Sequence, residues 1–296
     1  MRQSVIIANR GAGSFSQKLF DECCSKLESG GIAVQHCFCT CFGEMAEKAA
    51  EFSTSSDSPI VIAAGGDGTI NAVLNGLAGN RATCAVLPMG TANVMAIELG
   101  IKNAKMAVET ILSGRPRSFT AGLLQNSSKS SRFFLMAGVG FDGHIVRGVS
   151  LKEKQLLGKG AYLLSALRNF VSWDAGEIHV TTETEVFSCG SLIVCNASRY
   201  GGSFSLAPSA NIFSPSLEIV AVKHGSRSSV IRAIAGAAAG LTESEQLYRT
   251  TASKISVAGM KPVQADGDNW GDSPVEISAE ADYAKIIVSV IDAKKR

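Results

Sequence analysis

The residues with the clearest capacity for chemistry are Gly65-Gly66-Asp67-Gly68-Thr69, which follow an apolar run and open an amphipathic one. Three glycines remove Cβ atoms where a phosphate would approach backbone N–H groups, and a helix N-terminus adds a favourable dipole. A carboxylate inside an anion site needs a reason. Asp67 can contact Mg²⁺, a nucleotide or an acceptor hydroxyl, or it can cap the helix from a tight turn. The same logic recurs one strand later in Leu87-Pro88-Met89-Gly90-Thr91-Ala92-Asn93, and a small polar turn, Asn9-Arg10-Gly11-Ala12-Gly13-Ser14, ends the first strand. Three successive strand ends thus offer phosphate-compatible chemistry on one edge of a sheet.

The elements that must position these turns alternate. Apolar spacing predicts strands at 4–8, 32–41, 59–64 and 83–87. Helices are expected over 15–27, over 44–52, through Ile70, Val73, Leu74 and Leu77, and between Asn103 as N-cap and Gly114 as stop. This βαβα order implies a mostly parallel sheet covered by helices, with ligands at the carboxyl ends of its strands. After Pro116 the texture changes to short strands at 132–137, 177–182, 191–195, 217–222 and 285–290, interrupted by helices at 160–172 and 228–241. The fold class is therefore α/β plus all-β. Residues 1–117 form a nucleotide-binding domain, residues 118–296 a β-sandwich-like or meander domain, and the active site is expected in the cleft between them. At 296 residues the chain exceeds the usual size of one core, which also favours two domains.

Composition excludes several classes. With 46% hydrophobic and 18% charged residues the chain is globular, and a net charge of +2 with dispersed basic residues gives no field that argues for nucleic acid. The densest basic run, Lys152 to Lys159 around Leu156 and Leu157, suits either a solvated loop or a patch facing anionic lipid headgroups. No run reaches 18 apolar residues, and the short apolar start of MRQSVIIANRGAG is no signal peptide, so a cytoplasmic protein is expected. Cys37, Cys39 and Cys41 read as one face of a strand and as small buried hydrophobes. Walker A, HExxH and GxSxG are absent, and His36, His144, His179 and His224 lack ligand spacing. Gly138-Val139-Gly140-Phe141-Asp142-Gly143 matches the dinucleotide fingerprint but sits in the β-rich half, where it is expected to be a turn lining the cleft.

GGDGTINAVLNGL at 65–77 and LPMGTANVMAIELGI at 87–101 resemble the paired motifs of diacylglycerol kinase catalytic domains. Gly138 to Asp142, Gly160-Ala161-Tyr162, Asn196 to Pro208 and Asp266-Gly267-Asp268 fall in that family's order, so the resemblance covers nearly the whole chain. It implies a lipid kinase using ATP with Mg²⁺ and acting on diacylglycerol or a related lipid such as a sphingoid base or phosphatidylglycerol. The lipid would be met at a membrane surface, in a peripheral and transient association with the inner face, and a homodimer is compatible with this. Nucleotide contacts are implied for Asn9, Gly13, Ser14, Thr40, Gly65, Gly66, Asp67, Gly68, Thr69, Asn71, Gly90, Thr91 and Asn93. A catalytic base is implied at Asp268 or Asp266, alone or with Asp67. Most relatives read Asp-Gly-Glu at this late turn, one methylene longer. Where many bacterial relatives carry an Asp-Asp-Gly turn for a structural Mg²⁺, this chain has Ser214-Pro215-Ser216-Leu217-Glu218, whose hydroxyls are weak ligands for a hard cation. The alternatives are an NAD kinase-like enzyme, against which the second glycine element argues, and a catalytically silent lipid-binding or regulatory protein.

Overall fold

The computed structural model describes residues 2–55, 59–77, 82–148, 176–200, 204–226, 228–230, 232 and 245–290. It divides into two compact units, Met1–Phe119 with Asp282–Arg296, and Thr120–Ala281. In the first unit the order is β1 (Arg2–Ala8), α1 (Gln17–Ser29), β2 (Ile32–Phe38), α2 (Phe42–Ser55), β3 (Ile60–Gly65), α3 (Asp67–Gly76), β4 (Thr83–Pro88), α4 (Val94–Glu98) and α5 (Ala104–Ser113). The strands lie in the order β2-β1-β3-β4 and run parallel. Every residue of β3 and β4 is buried, as a strand covered on both faces requires. Two helix starts are set by local side chains: Ser16 accepts from Leu19 N ahead of α1, and Asn103 accepts from Met106 N at 2.9 Å ahead of α5. Because β2 lies on one side of β1 and β3 on the other, the strand order reverses at β1, the position where an open parallel sheet leaves a crevice beyond its strand ends.

Strand β5 (Arg115–Gln125) leads into the second unit. There follow β6 (Ser130–Phe133), β7 (Met136–Val139), α6 (Phe141–Arg147), β8 (Ile178–Thr182), β9 (Val186–Cys189), β10 (Ser191–Cys195), β11 (Arg199–Tyr200), β12 (Phe204–Ser205), β13 (Leu217–Val222), β14 (Leu247–Ala252), β15 (Lys254–Ala258), β16 (Pro262–Ala265), β17 (Asp268–Asp272) and β18 (Val275–Val288). One sheet has the order β14-β13-β10-β7-β16-β17, antiparallel throughout. A second joins β15 to β8 and to the start of β18, with β9 beyond β8. Val139, Leu192, Val194, Ile219 and Val263 of the first sheet share one core with Ile178, Val180, Ile255, Val257 and Ile277 of the second, which makes this unit a sandwich. The far end of β18 belongs to the first unit, where Lys285 and Ile286 pair in parallel with Thr83 and Cys84 of β4.

Several expectations need correction. Strand β2 stops at Phe38, so the three cysteines do not share one strand face: Cys39 is buried, Cys37 is half-buried and Cys41 is exposed. Burial pushes the Cys39 thiol up to about 12. The strand expected at 132–137 is split into β6 and β7, because the N–H groups of Phe134 and Leu135 between them bond to a side chain instead of a neighbouring strand. The turn expected at 138–143 is a strand end, Gly140 at a φ of 96°, and the start of α6. The helix expected at 160–172, most of that at 228–241, and the Lys152–Lys159 run lie outside the described residues. Among the described residues no helix is long and apolar enough to cross a membrane.

Candidate active site

In the first unit the three turns read as phosphate-compatible are packed against one another. Asn9 N donates to Ala64 O at 3.0 Å where β1 ends beside β3, and the Asn9 side chain accepts from Gly11 N at 2.8 Å, tightening the turn that follows. Ser14 N reaches Met89 O at 3.1 Å, and Met89 N reaches Gly65 O at 2.9 Å, so the first turn is tied to the third and the third to the second. Glycine is required at the contacts. A Cβ on Gly90 would lie 2.3 Å from the Gly66 Cα, and one on Gly13 would lie 2.4 Å from Thr91 Oγ1. Asn93 holds the third turn from within: its φ is 49°, its side chain accepts from Gly90 N at 2.9 Å, and it donates to Gly90 O at 2.7 Å.

This arrangement leaves α3 open at its N-terminus. The N-cap is Gly66, which has no side chain to offer, and no side-chain hydrogen bond caps the helix. Thr69 N and Ile70 N bond back to Gly66 O, while Gly68 is exposed with open space where a Cβ would stand. An uncapped helix start beside an exposed glycine has N–H groups that can face an anion. Asp67 does not cap its own helix. Its carboxylate accepts from Met95 N, in the first turn of α4, at 3.0 Å. Asn71 lies one turn further into α3, where its carbonyl groups accept from the Asn75 amide. Thr40 is exposed beyond the end of β2, and its N–H bonds to Glu44 Oε2 at 3.0 Å.

The second unit holds the late acidic turn. Asp266 and Gly267, with φ values of 47° and 84°, form the two-residue loop between β16 and β17, and Ala265 faces Asp268 across it. Positive φ at both central residues suits the twist of a tight hairpin, and Asp-Gly is a preferred pair for that turn. The Asp266 carboxylate accepts from Phe134 N at 2.8 Å and from Leu135 N and Met136 N at 2.9 Å, and Asp266 N donates to Met136 O at 2.9 Å. The 134–136 segment is gripped from the other side by buried Asn196. Its amide donates to Phe134 O at 2.9 Å and Thr120 O at 2.7 Å, and its N–H donates to Leu135 O at 2.9 Å. Asp266 is therefore engaged as an anchor, while Asp268 stands exposed at the first position of β17. Sequence reasoning named Asn196 only as the start of a family segment and missed Met95 altogether, since a backbone donor leaves no trace in residue type.

Around the serine turn, the Ser214 and Ser216 hydroxyls bond to one another at 3.1 Å, Ser214 O accepts from Thr120 Oγ1 at 2.6 Å, and Glu218 pairs with Arg249 at 2.9 Å. Among the described residues no group of three or more His, Cys, Asp or Glu converges as a metal site.

Comparison with known proteins places both halves of the chain in described families. Residues 3–124 match the family model of the diacylglycerol kinase catalytic domain, and residues 136–288 match that of the YegS C-terminal NAD kinase beta sandwich-like domain. The chain is similar to the diacylglycerol kinase of Bacillus subtilis, with 28% identity over 286 residues and 93% of each chain covered. It is 26% identical to that of Staphylococcus saprophyticus, covering 84% of this chain and 83% of the relative. A Shewanella frigidimarina protein named "Probable lipid kinase YegS-like" is 30% identical over 173 residues, covering 55% of this chain and 54% of the relative. The fold is shared with a solved diacylglycerol kinase structure from Bacillus anthracis at a TM-score of 0.77, with 22% identity and 98% of each chain covered.

Proposed function

Because this chain belongs to the family of diacylglycerol kinase catalytic domains and YegS-like lipid kinases, we propose that it transfers the γ-phosphate of ATP to a lipid hydroxyl, diacylglycerol being the first acceptor to test. The observation that carries this reading is the uncapped start of α3, set among glycines that touch backbone to backbone at Gly66 and Gly90. The N–H groups of that first turn would bind the nucleotide phosphates, assisted by the turns at Asn9–Ser14 and Gly90–Asn93. Phosphoryl transfer needs positioning and charge neutralisation more than covalent chemistry, and Mg²⁺ bound with ATP would supply part of the latter. Asp67 is the carboxylate we assign to that ion, since its other engagement is a single backbone N–H.

We assign the acceptor's proton to Asp268. The lone pairs of Asp266 are directed at three backbone donors, so moving a proton onto it would cost the hairpin its anchor. Asp268 is exposed on the neighbouring strand end. A diacyl lipid leaves a bilayer reluctantly, at about 0.8 kcal/mol per buried CH₂, so the enzyme would work at a membrane surface. The test is a turnover assay with γ-labelled ATP offered mixed-lipid vesicles or NAD. Label in the lipid extract supports the reading. Label in NADP instead selects the NAD kinase alternative, and label in neither selects a silent lipid-binding protein.

A further inference from the structure

Resting on that assignment of Asp268, we propose that Gln264 is a positioning residue for its carboxylate, holding the Asp266–Gly267 peptide of the preceding loop from a polar chain of Tyr200, Asp142 and Gln264. Gln264 lies on β16 and is 2% exposed. Its Oε1 accepts from Gly267 N at 2.8 Å, and its Nε2 donates to Asp142 Oδ2 at 2.6 Å. Only one orientation of the amide satisfies both neighbours, because an N–H needs an acceptor and a carboxylate needs a donor. The remaining oxygen of Asp142 accepts from the Tyr200 hydroxyl. Asp142 is itself 4% exposed and is held against the β7 backbone, where a Cβ on Gly138 would stand 2.0 Å from its Oδ2.

A carboxylate buried in this way is costly unless its oxygens are bonded, and an apolar residue of similar volume would fill the space at lower cost. Burial accordingly pushes the Asp142 carboxyl above its ordinary range, against the two hydrogen bonds that favour the anion. What the chain supplies is direction. Asp266 fixes the first residue of the hairpin loop to the 134–136 segment, and Gln264 fixes the second through its N–H. With both loop peptides held, the next residue, Asp268, leaves the turn along one defined path.

A charge transposition tests this. With both carboxyls ionised, Gln264→Glu keeps an acceptor for Gly267 N but sets one carboxylate against another at Asp142, breaking the link. The double variant D142N/Q264E restores every bond with the charge moved one residue along: the introduced amide accepts from Tyr200 and donates to the introduced carboxylate, which in turn accepts from Gly267 N. We expect kcat for lipid phosphorylation to fall roughly tenfold or more in Q264E, with KM for ATP within about twofold of the parent, and to return to within about threefold in D142N/Q264E. Hydrogen exchange at the Gly267 amide should be slow in the parent, faster in Q264E and slow again in the double variant, which reads the geometry without any activity. If Q264E retains the parent kcat, or if the double variant regains slow exchange without regaining kcat, Gln264 does not position the base. A parent that phosphorylates no lipid overturns the functional reading instead, and exchange at Gly267 still decides whether the polar chain holds the turn.

Discussion

The Asp67 carboxylate accepts the N–H of Met95 at 3.0 Å, so the acid of the first glycine turn fastens the short helix that follows the next one. Helices α3 and α4 are thereby tied to each other, and the proposed phosphate cradle draws on the turns that open both. Tethering and chemistry at Asp67 can be separated by substitution. Asp67→Asn keeps an acceptor for Met95 N and should unfold near the parent's denaturant midpoint, whereas Asp67→Ala leaves a buried N–H unmade and should lose about 1–3 kcal/mol. Turnover should fall roughly 10²- to 10⁴-fold in the Asn variant, because the charge is lost while the tether remains. A stable Asn variant with parent turnover would reduce Asp67 to a tether.

The cradle makes a second prediction, in which stability and binding move in opposite directions. Gly68→Ala meets no heavy atom within 4 Å and removes a flexible residue from the start of α3, so it should stabilise the fold by about 0.5–1 kcal/mol. The same methyl stands beside the N–H groups assigned to phosphate and should weaken ATP binding at least severalfold. Gly90→Ala, whose Cβ would collide with the Gly66 backbone, should lose both. Denaturant melts and ATP titrations of the two variants check this, and undiminished ATP affinity in both would remove the glycine turns from the nucleotide site.

Asp142 gives the fold a pH signature. Its carboxyl is raised by burial from an ordinary value of 3.8, so the folded state holds this proton to higher pH than the unfolded chain does. The stability it contributes is therefore fully present below 3.8 and is lost as pH rises through the folded value. The unfolding free energy of the parent minus that of Asp142→Asn, followed by denaturant titration upward from about pH 3, should decline with pH. A difference that rises over that range would mean that the two hydrogen bonds outweigh burial.

Much of the fold was legible because its signals are local. The alternation of buried strands with 3.6-period helices, the Asn103 cap and the glycine turns each declare themselves within a few residues. The site was legible in residue type and less so in role. Asp266 and Asp268 look alike in sequence, and what separates them is three N–H groups about 130 residues earlier in the chain. The Asp266-Gly267 pair is itself a hairpin signal, lying between Val263 and Trp270 of two short strands. Helix α6 is not legible in the sequence because Gly143 lowers helix propensity where close packing asks for it: a Cβ there would stand 2.2 Å from Pro262 O. The exposed Cys41 was misplaced by extending a period of two beyond the end of β2.

The most direct test of the account is the transfer of γ-labelled phosphate from ATP into vesicle lipid by the parent and by Asp268→Asn. Label is expected in the lipid extract with the parent, and at least a roughly 10²-fold lower kcat with the variant at an unchanged KM for ATP. Parent-like turnover by Asp268→Asn, or no labelled lipid from the parent, would contradict it.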